Sequence, residues 1–166
     1  MKPFALRAFS YAAVLLAVLP SFSSAEAPAS GAPAAPEKKP YLRIVKTKTC
    51  QLLMPKLATC VFTIKVTNVG NAGYSGPLWV TDTLTPATSM FQGFSQPATP
   101  PGTVCAPAAP INSITCKVPS VTLPISGSVS ISFQAMVKVA SMKEAWNCAS
   151  VVKPVQSPVA KSCVHL

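Results

Sequence analysis

Six cysteines behind an apolar leader constrain the fold of this chain more than any other feature. They form three neighbouring pairs along the sequence: Cys50/Cys60, Cys105/Cys116 and Cys148/Cys163. In an exported protein an even number of cysteines indicates a disulfide framework, because thiols oxidise outside the reducing cytosol. Many complete pairings are open to six cysteines, but the gap inside each neighbouring pair is about one β-hairpin long. We therefore predict three local disulfides, Cys50–Cys60, Cys105–Cys116 and Cys148–Cys163.

The first 25 residues have the three parts of a secretory signal peptide. Lys2 and Arg7 make a basic start, residues 11–19 are a short apolar stretch, and small residues precede Glu26. The apolar stretch is about half of the roughly 20 residues that a membrane span needs. We expect cleavage before Glu26, export to the periplasm or the extracellular space, and no transmembrane segment in the mature chain.

The mature chain divides into three segments by composition. Residues 26–40 are rich in proline and alanine and lack any large apolar side chain, which predicts an extended tether. Residues 41–153 are expected to form one domain, since they contain no internal repeat. Residues 154–166 are expected to be a tail that the Cys148–Cys163 disulfide ties back to the domain.

Hydrophobic side chains in this domain recur with a period of two. Residues 129–139 carry apolar side chains at every odd position, and Cys60, Phe62, Ile64 and Val66 form a second alternating run. A period of two is typical of half-buried β-strands, and clusters of glycine, asparagine and proline separate the runs. The pattern predicts an all-β, antiparallel β-sandwich of about seven strands.

Five fragments occur in the order found in a known bacterial family. They are residues 62–70 (Phe-Thr-Ile-Lys-Val-Thr-Asn-Val-Gly), 78–84 (Leu-Trp-Val-Thr-Asp-Thr-Leu), 115–116 (Thr-Cys), 126–131 (Ser-Gly-Ser-Val-Ser-Ile) and 147–151 (Asn-Cys-Ala-Ser-Val). Over about 110 residues the chain resembles the bacterial conserved-repeat domain, domain of unknown function eleven. The resemblance implies an immunoglobulin-like sandwich in an exported or cell-surface protein, with no known catalytic residues to carry over.

Residues that would support catalysis or metal binding are scarce. The four acids are Glu26, Glu37, Asp82 and Glu144, and the single histidine is His165, beside the last residue. No cysteines are close enough for a zinc site or a redox Cys-x-x-Cys motif. No serine has a plausible histidine partner for a Ser-His-Asp triad. We expect no enzyme activity, no cofactor and no metal, and we expect Asp82 to cap loop amides at a strand end.

Positive charge is the second clue to function. Without the leader the chain has twelve basic and four acidic residues, a net charge of +8. Such a surface attracts anionic envelope polymers. Arg43 is the sole arginine of the mature chain, and arginine is the residue best suited to planar phosphate recognition, so nucleic acid is disfavoured. Solubility and protection of sheet edges also explain dispersed lysines, among them Lys46, Lys48, Lys65 and Lys138.

Strand parity adds a candidate interaction patch. If Leu78 and Val80 face the core, Trp79 faces solvent, and the same reasoning places Trp146, Met136 and Lys138 outside. In an immunoglobulin-like sheet the three strands that carry these residues would be neighbours. They would then form one exposed apolar patch, either covered by the C-terminal tail or available to a protein partner. We expect a non-catalytic interaction module, with an envelope protein that binds anionic polymer through lysines as the alternative. The ligand and the oligomeric state stay open.

Overall fold

A computed structural model describes residues 36–95, 100–108 and 111–166 of the protein. The predicted signal peptide and most of the predicted tether lie outside these residues. The described segments contain nine β-strands and no helix, which confirms the predicted all-β class. The strands are β1 (Leu42–Met54), β2 (Leu57–Asn68), β3 (Tyr74–Thr85), β4 (Met90–Phe94), β5 (Val104–Ala108), β6 (Ser113–Leu123), β7 (Ser128–Lys138), β8 (Trp146–Lys153) and β9 (Lys161–His165).

The strands form two antiparallel sheets, as the sequence predicted. One sheet has the order β1-β2-β7-β4 and the other the order β5-β6-β3-β8-β9. In immunoglobulin nomenclature the first matches strands A-B-E-D, and β3-β8-β9 matches C-F-G. The hairpin β5–β6 is added beside β3, which raises the count from about seven strands to nine. Three of the edge strands, β4, β5 and β9, are each only five residues long. Each of them pairs with a longer neighbouring strand.

The core lies between the inner faces of the two sheets. Phe62 on β2 is fully buried and packs against Phe133 with ring centroids 5.7 Å apart. Phe91 of β4 meets the edge of the Phe62 ring at 6.4 Å. On β7 every second side chain from Ile131 to Val137 is buried, and the residues between them are exposed. The period of two in the sequence therefore corresponds to inward and outward side chains.

All three predicted disulfides are present. Each joins two residues that lie directly opposite each other on neighbouring strands, with a Cα–Cα distance of 4.0 Å: Cys50–Cys60, Cys105–Cys116 and Cys148–Cys163. The three bonds indicate that the protein matures in an oxidising compartment. Among the residues that the structure describes, none belongs to a helix of the length and hydrophobicity required to span a membrane.

The C-terminal segment is part of the sandwich and not a separate tail. Residues Lys161–His165 pair with β8 as the edge strand β9, so the sandwich extends well beyond residue 153. The backbone N–H of Lys46 donates to Ser162 Oγ (3.0 Å), and the side chain of Gln156 bonds to both backbone groups of Leu42. The segment after β8 therefore binds the edge strand β1 of the other sheet, which protects that edge from pairing with another chain.

The end of the predicted tether is also attached to the sandwich. The backbone N–H of Lys39 donates to Asn71 Oδ1 (2.7 Å), and the Asn71 N–H donates to the Lys39 carbonyl (3.2 Å). A Cβ on Gly70 would collide with the Lys39 carbonyl oxygen and the Tyr41 nitrogen. Glycine at position 70 therefore allows the incoming chain to lie against the β2–β3 turn.

We expect the double variant Cys148→Ser/Cys163→Ser to release β9 at a cost of about 2 kcal/mol. The ring of Trp146 contacts His165 of β9 edge to face at 4.9 Å, so release should increase acrylamide quenching of Trp146 fluorescence. The measurement uses a Trp79→Phe background to isolate Trp146. In the matched Trp146→Phe background quenching should not change. Equal changes in both backgrounds would contradict local release.

Candidate functional site

The two tryptophans lie on the outer face of the five-stranded sheet but far apart. Trp79 alternates with the buried Leu78 and Val80 on β3, and the exposed Trp146 begins β8. Trp79 lies opposite Lys153 and Trp146 lies opposite Thr85, six residues further along β3. At about 3.3 Å per residue this separation is roughly 20 Å. The two rings therefore do not form a continuous patch.

Each tryptophan has its own local cover. The Trp79 ring lies between two lysine ammonium groups, with Lys117 Nζ 4.6 Å and Lys153 Nζ 4.8 Å from its centroid. Trp146 packs against His165, whose Nε2 is 2.6 Å from the Lys143 carbonyl oxygen. The C-terminal strand thus shields Trp146 in part.

The predicted grouping of Met136 and Lys138 with the tryptophans is wrong. Both residues are on β7, which pairs with β2 and β4 in the four-stranded sheet, whereas Trp79 and Trp146 belong to the other sheet. Strand parity correctly makes Met136 and Lys138 outward-facing. Parity does not say which sheet a strand joins, however, and these two side chains face solvent on the opposite side of the sandwich.

Met136 and Lys138 instead belong to an apolar surface at one end of the four-stranded sheet. Lys138 lies opposite Met90 on one side and Leu57 on the other, and Leu57 lies opposite Met54. All four strands therefore contribute one residue to a single row, with Met136 beside it. The exposed fractions are 62% for Met54, 38% for Met90 and 39% for Met136. We call Met54, Leu57, Met90, Met136 and Lys138 the methionine surface.

The methionine surface includes a shallow cavity with a basic rim. Its volume is about 450 Å³, and Met54, Leu57 and Lys138 line it together with Pro55, Lys56 and Gln92. Within the described segments the ion pairs are Lys39–Glu37 and Lys46–Asp82, so neither rim lysine is in one. The surface combines flexible apolar side chains with positive charge.

A cluster of three polar side chains lies inside the sandwich. Lys46 comes from β1 of one sheet, while Asp82 and Asn147 come from β3 and β8 of the other. The Lys46 ammonium donates to Asp82 Oδ1, and Asn147 Nδ2 donates to Asp82 Oδ2 at 3.1 Å. The side chains of Lys46 and Asp82 are 0% and 1% exposed, and Asn147 is fully buried. Asn147 Oδ1 has no hydrogen-bond partner among the described residues.

Burial dominates the electrostatics of this interior cluster. Desolvation lowers the pKa of the Lys46 amine, and the attraction and hydrogen bond of Asp82 oppose this shift only in part. Desolvation likewise raises the pKa of the Asp82 carboxyl, against the opposing effects of Lys46 and Asn147. Lys46 Nζ also lies 4.4 Å from the centroid of the apolar Phe62 ring. Desolvation therefore shifts both groups toward their neutral forms, although the face of the Phe62 ring attracts the ammonium form of Lys46.

Two expectations about these residues are wrong. Lys46 is not a surface lysine, and Asp82 does not cap a loop. The alternation of side chains along the strands already indicated that both residues are buried. Lys46 continues the inward positions of Leu42 and Ile44 on β1. Asp82 continues the inward positions of Leu78 and Val80 on β3. A charged residue at an inward position of each sheet predicts a buried pair between the sheets.

Neither clusters of metal ligands nor comparison with known proteins identifies a further functional site. Within the described segments no three or more His, Cys, Asp or Glu side chains are grouped in a way that could hold a metal ion. No protein-family model matches the chain, and no curated protein matches it either.

Proposed function

We propose that this protein is an exported, non-catalytic interaction module of the bacterial cell envelope, periplasmic or extracellular, that binds a protein partner through the methionine surface. The observation that carries the proposal is the row Met54, Leu57, Lys138 and Met90, to which every strand of one sheet contributes a residue. An apolar surface of this kind on a soluble domain marks an interaction site.

The chemistry of the methionine surface favours a partner segment that is both apolar and acidic. Methionine side chains are unbranched and polarisable, so they adapt to different apolar partners. Lys56 and Lys138 at the rim of the cavity favour a carboxylate next to the inserted apolar group. Opposite charge at the rim raises the association rate, whereas the apolar centre supplies most of the affinity.

Export is supported by two independent features. The leader over residues 1–25 has the composition of a signal peptide, and the three disulfides need an oxidising compartment. The resemblance to the conserved-repeat family agrees with an envelope location and with an immunoglobulin-like sandwich. We include membership of the conserved-repeat family in the proposal.

We expect Met54→Ser/Met136→Ser to reduce retention of the protein on the envelope fraction of its own organism by at least about tenfold, a loss of about 1.4 kcal/mol. The matched control is Val45→Ser, which removes a similarly exposed apolar side chain from the outer face of β1, opposite Lys65. Val45 is roughly 26 Å from the methionine surface along the strands. Equal retention of the two variants would overturn the proposal.

A second candidate is binding to an anionic envelope polymer. The sandwich has few carboxylates to offset its lysines, since Asp82 is buried and Glu37 is paired with Lys39. Such binding should weaken steeply as salt rises, because exposed charges more than about 10 Å apart are screened at 0.1 M ionic strength. Retention that disappears at high salt and does not respond to the methionine substitutions would favour this candidate.

A further inference from the structure

The interior cluster consists of an amine, a carboxyl group and a carboxamide, all buried inside the sandwich. We propose that Lys46 and Asn147 join through an amide bond between their side chains, and that Asp82 transfers the protons. The cross-link would form once, within the chain itself, with no turnover of an outside substrate. This inference is independent of the proposed function, because none of the three residues belongs to the methionine surface.

The geometry places Asp82 between the two groups that would react. One carboxyl oxygen accepts from Lys46 Nζ and the other accepts from Asn147 Nδ2 at 3.1 Å, so a single carboxyl group bridges the amine and the amide. Strands β1, β3 and β8 hold the three side chains in place from both sheets. Fixed neighbouring groups react with effective concentrations of about 10⁵–10⁸ M when they are well aligned.

The unsatisfied oxygen of Asn147 is a second, independent observation. Asn147 Oδ1 is buried without a partner in the described residues, and such an atom costs about 1–3 kcal/mol. Rotation of the Asn147 amide by half a turn would bring this oxygen to Asp82 in place of Nδ2, and a protonated Asp82 then donates to it and polarises the amide carbonyl toward attack. Burial raises the pKa of Asp82 and lowers that of Lys46, which shifts the acid and the nucleophile toward the neutral forms that the reaction needs.

The reaction balances without an oxidant or a co-reactant. The lone pair of Lys46 Nζ attacks Asn147 Cγ and forms the new C–N bond, while a proton from Asp82 neutralises the carbonyl oxygen. The bond between Cγ and Nδ2 then breaks, the carbonyl re-forms, and the proton on its oxygen returns to Asp82. The proton lost by the amine reaches the departing nitrogen through the Asp82 carboxyl, and ammonia leaves. Asp82 ends in the form in which it began, and the chain is lighter by one ammonia, about 17 Da.

The product would connect the two sheets covalently. Lys46 is on β1 and Asn147 is on β8, with about 100 residues between them. Each disulfide, by contrast, joins strands within one sheet. An amide bond also survives reducing conditions, so it would hold the sandwich together where the disulfides fail.

The test is the mass of the exported protein after reduction and alkylation, followed by peptide mapping. We expect a deficit of about 17 Da, carried by a peptide that joins Lys46 to Asn147. A mass equal to that of the unmodified mature chain, without this deficit, would overturn the proposal. A deficit of about 18 Da on a peptide joining Lys46 to Asp82 would also overturn it, because that product forms by loss of water.

Three variants separate the roles of the residues. Lys46→Arg keeps a buried cation without a competent nucleophile and should abolish the deficit, whereas Lys48→Arg on the same strand should keep it. Asp82→Ala should leave Lys46 and Asn147 unlinked. A folded Asp82→Ala protein, verified by its three disulfides and circular dichroism, that still contains the linked peptide would refute the role of Asp82.

Discussion

Replacing Asp82 by alanine is expected to destabilise the protein by about 3–5 kcal/mol, because Lys46 then stays an unlinked, buried amine without an acidic partner. Its surroundings are the Phe62 ring and the buried Asn147 amide, and neither offers a carboxylate in exchange. The free energy of unfolding, from guanidinium denaturation followed by tryptophan fluorescence, is the measurement. A loss of this size is a large part of the roughly 5–15 kcal/mol that a domain has in total.

The matched control is Lys46→Met/Asp82→Ala, which removes the amine together with the carboxyl group. We expect the double variant to recover at least half of the lost stability, since methionine replaces the amine with an apolar group. Neither variant can form the proposed cross-link, so the difference between them reports the buried charge alone. A double variant no more stable than Asp82→Ala would contradict this explanation.

The stability deficit of Asp82→Ala should also shrink as pH rises. In the variant, burial holds the pKa of the folded Lys46 amine below its ordinary value of 10.5 and no Asp82 carboxyl opposes this shift, so between the two pKa values the unfolded variant binds more protons than the folded variant. Stability therefore increases with pH until the unfolded amine also loses its proton. A deficit that stays constant up to about pH 10 would show that Lys46 is not the cause.

Removing the Cys105–Cys116 disulfide should have the second large effect, about 4 kcal/mol. The two sulfur-bearing side chains are buried, with 2% and 1% exposure, so Cys105→Ala/Cys116→Ala loses core packing in addition to the constraint on the unfolded chain. Denaturant titration of the doubly substituted protein gives the value.

The Cys148–Cys163 disulfide is the matched comparison, because it lies on the outer side of its sheet. Its sequence separation is 15 against 11 for Cys105–Cys116, and this changes the chain-entropy contribution by only about 0.3 kcal/mol. Core packing should therefore account for most of the difference between the two double variants. Equal losses would mean that burial of the Cys105–Cys116 bond adds nothing.

Local pattern and spacing were sufficient to predict the longer strands and the disulfides, but not the five-residue strands β4, β5 and β9. Alternation along residues 129–139 gives the inward and outward faces of β7, because side chains of a β-strand point to opposite sides in turn. The cysteine pairing followed from hairpin-length gaps, because strands joined by a short connection lie side by side and can place two cysteines opposite each other. Cys105 and Cys116 do so on β5 and β6.

The sequence by itself therefore determined the fold class, the disulfides and the direction in which most strand side chains point. The tertiary structure alone decided that β7 lies between β2 and β4, that the C-terminal segment becomes β9, and that the predicted patch is divided between two faces. It also brought Asn147 to Lys46 and Asp82, the two inward charges whose burial strand parity indicates. The physical reason is that alternation is a property of one strand, whereas strand order and contacts between sheets depend on how distant segments bury their apolar faces together.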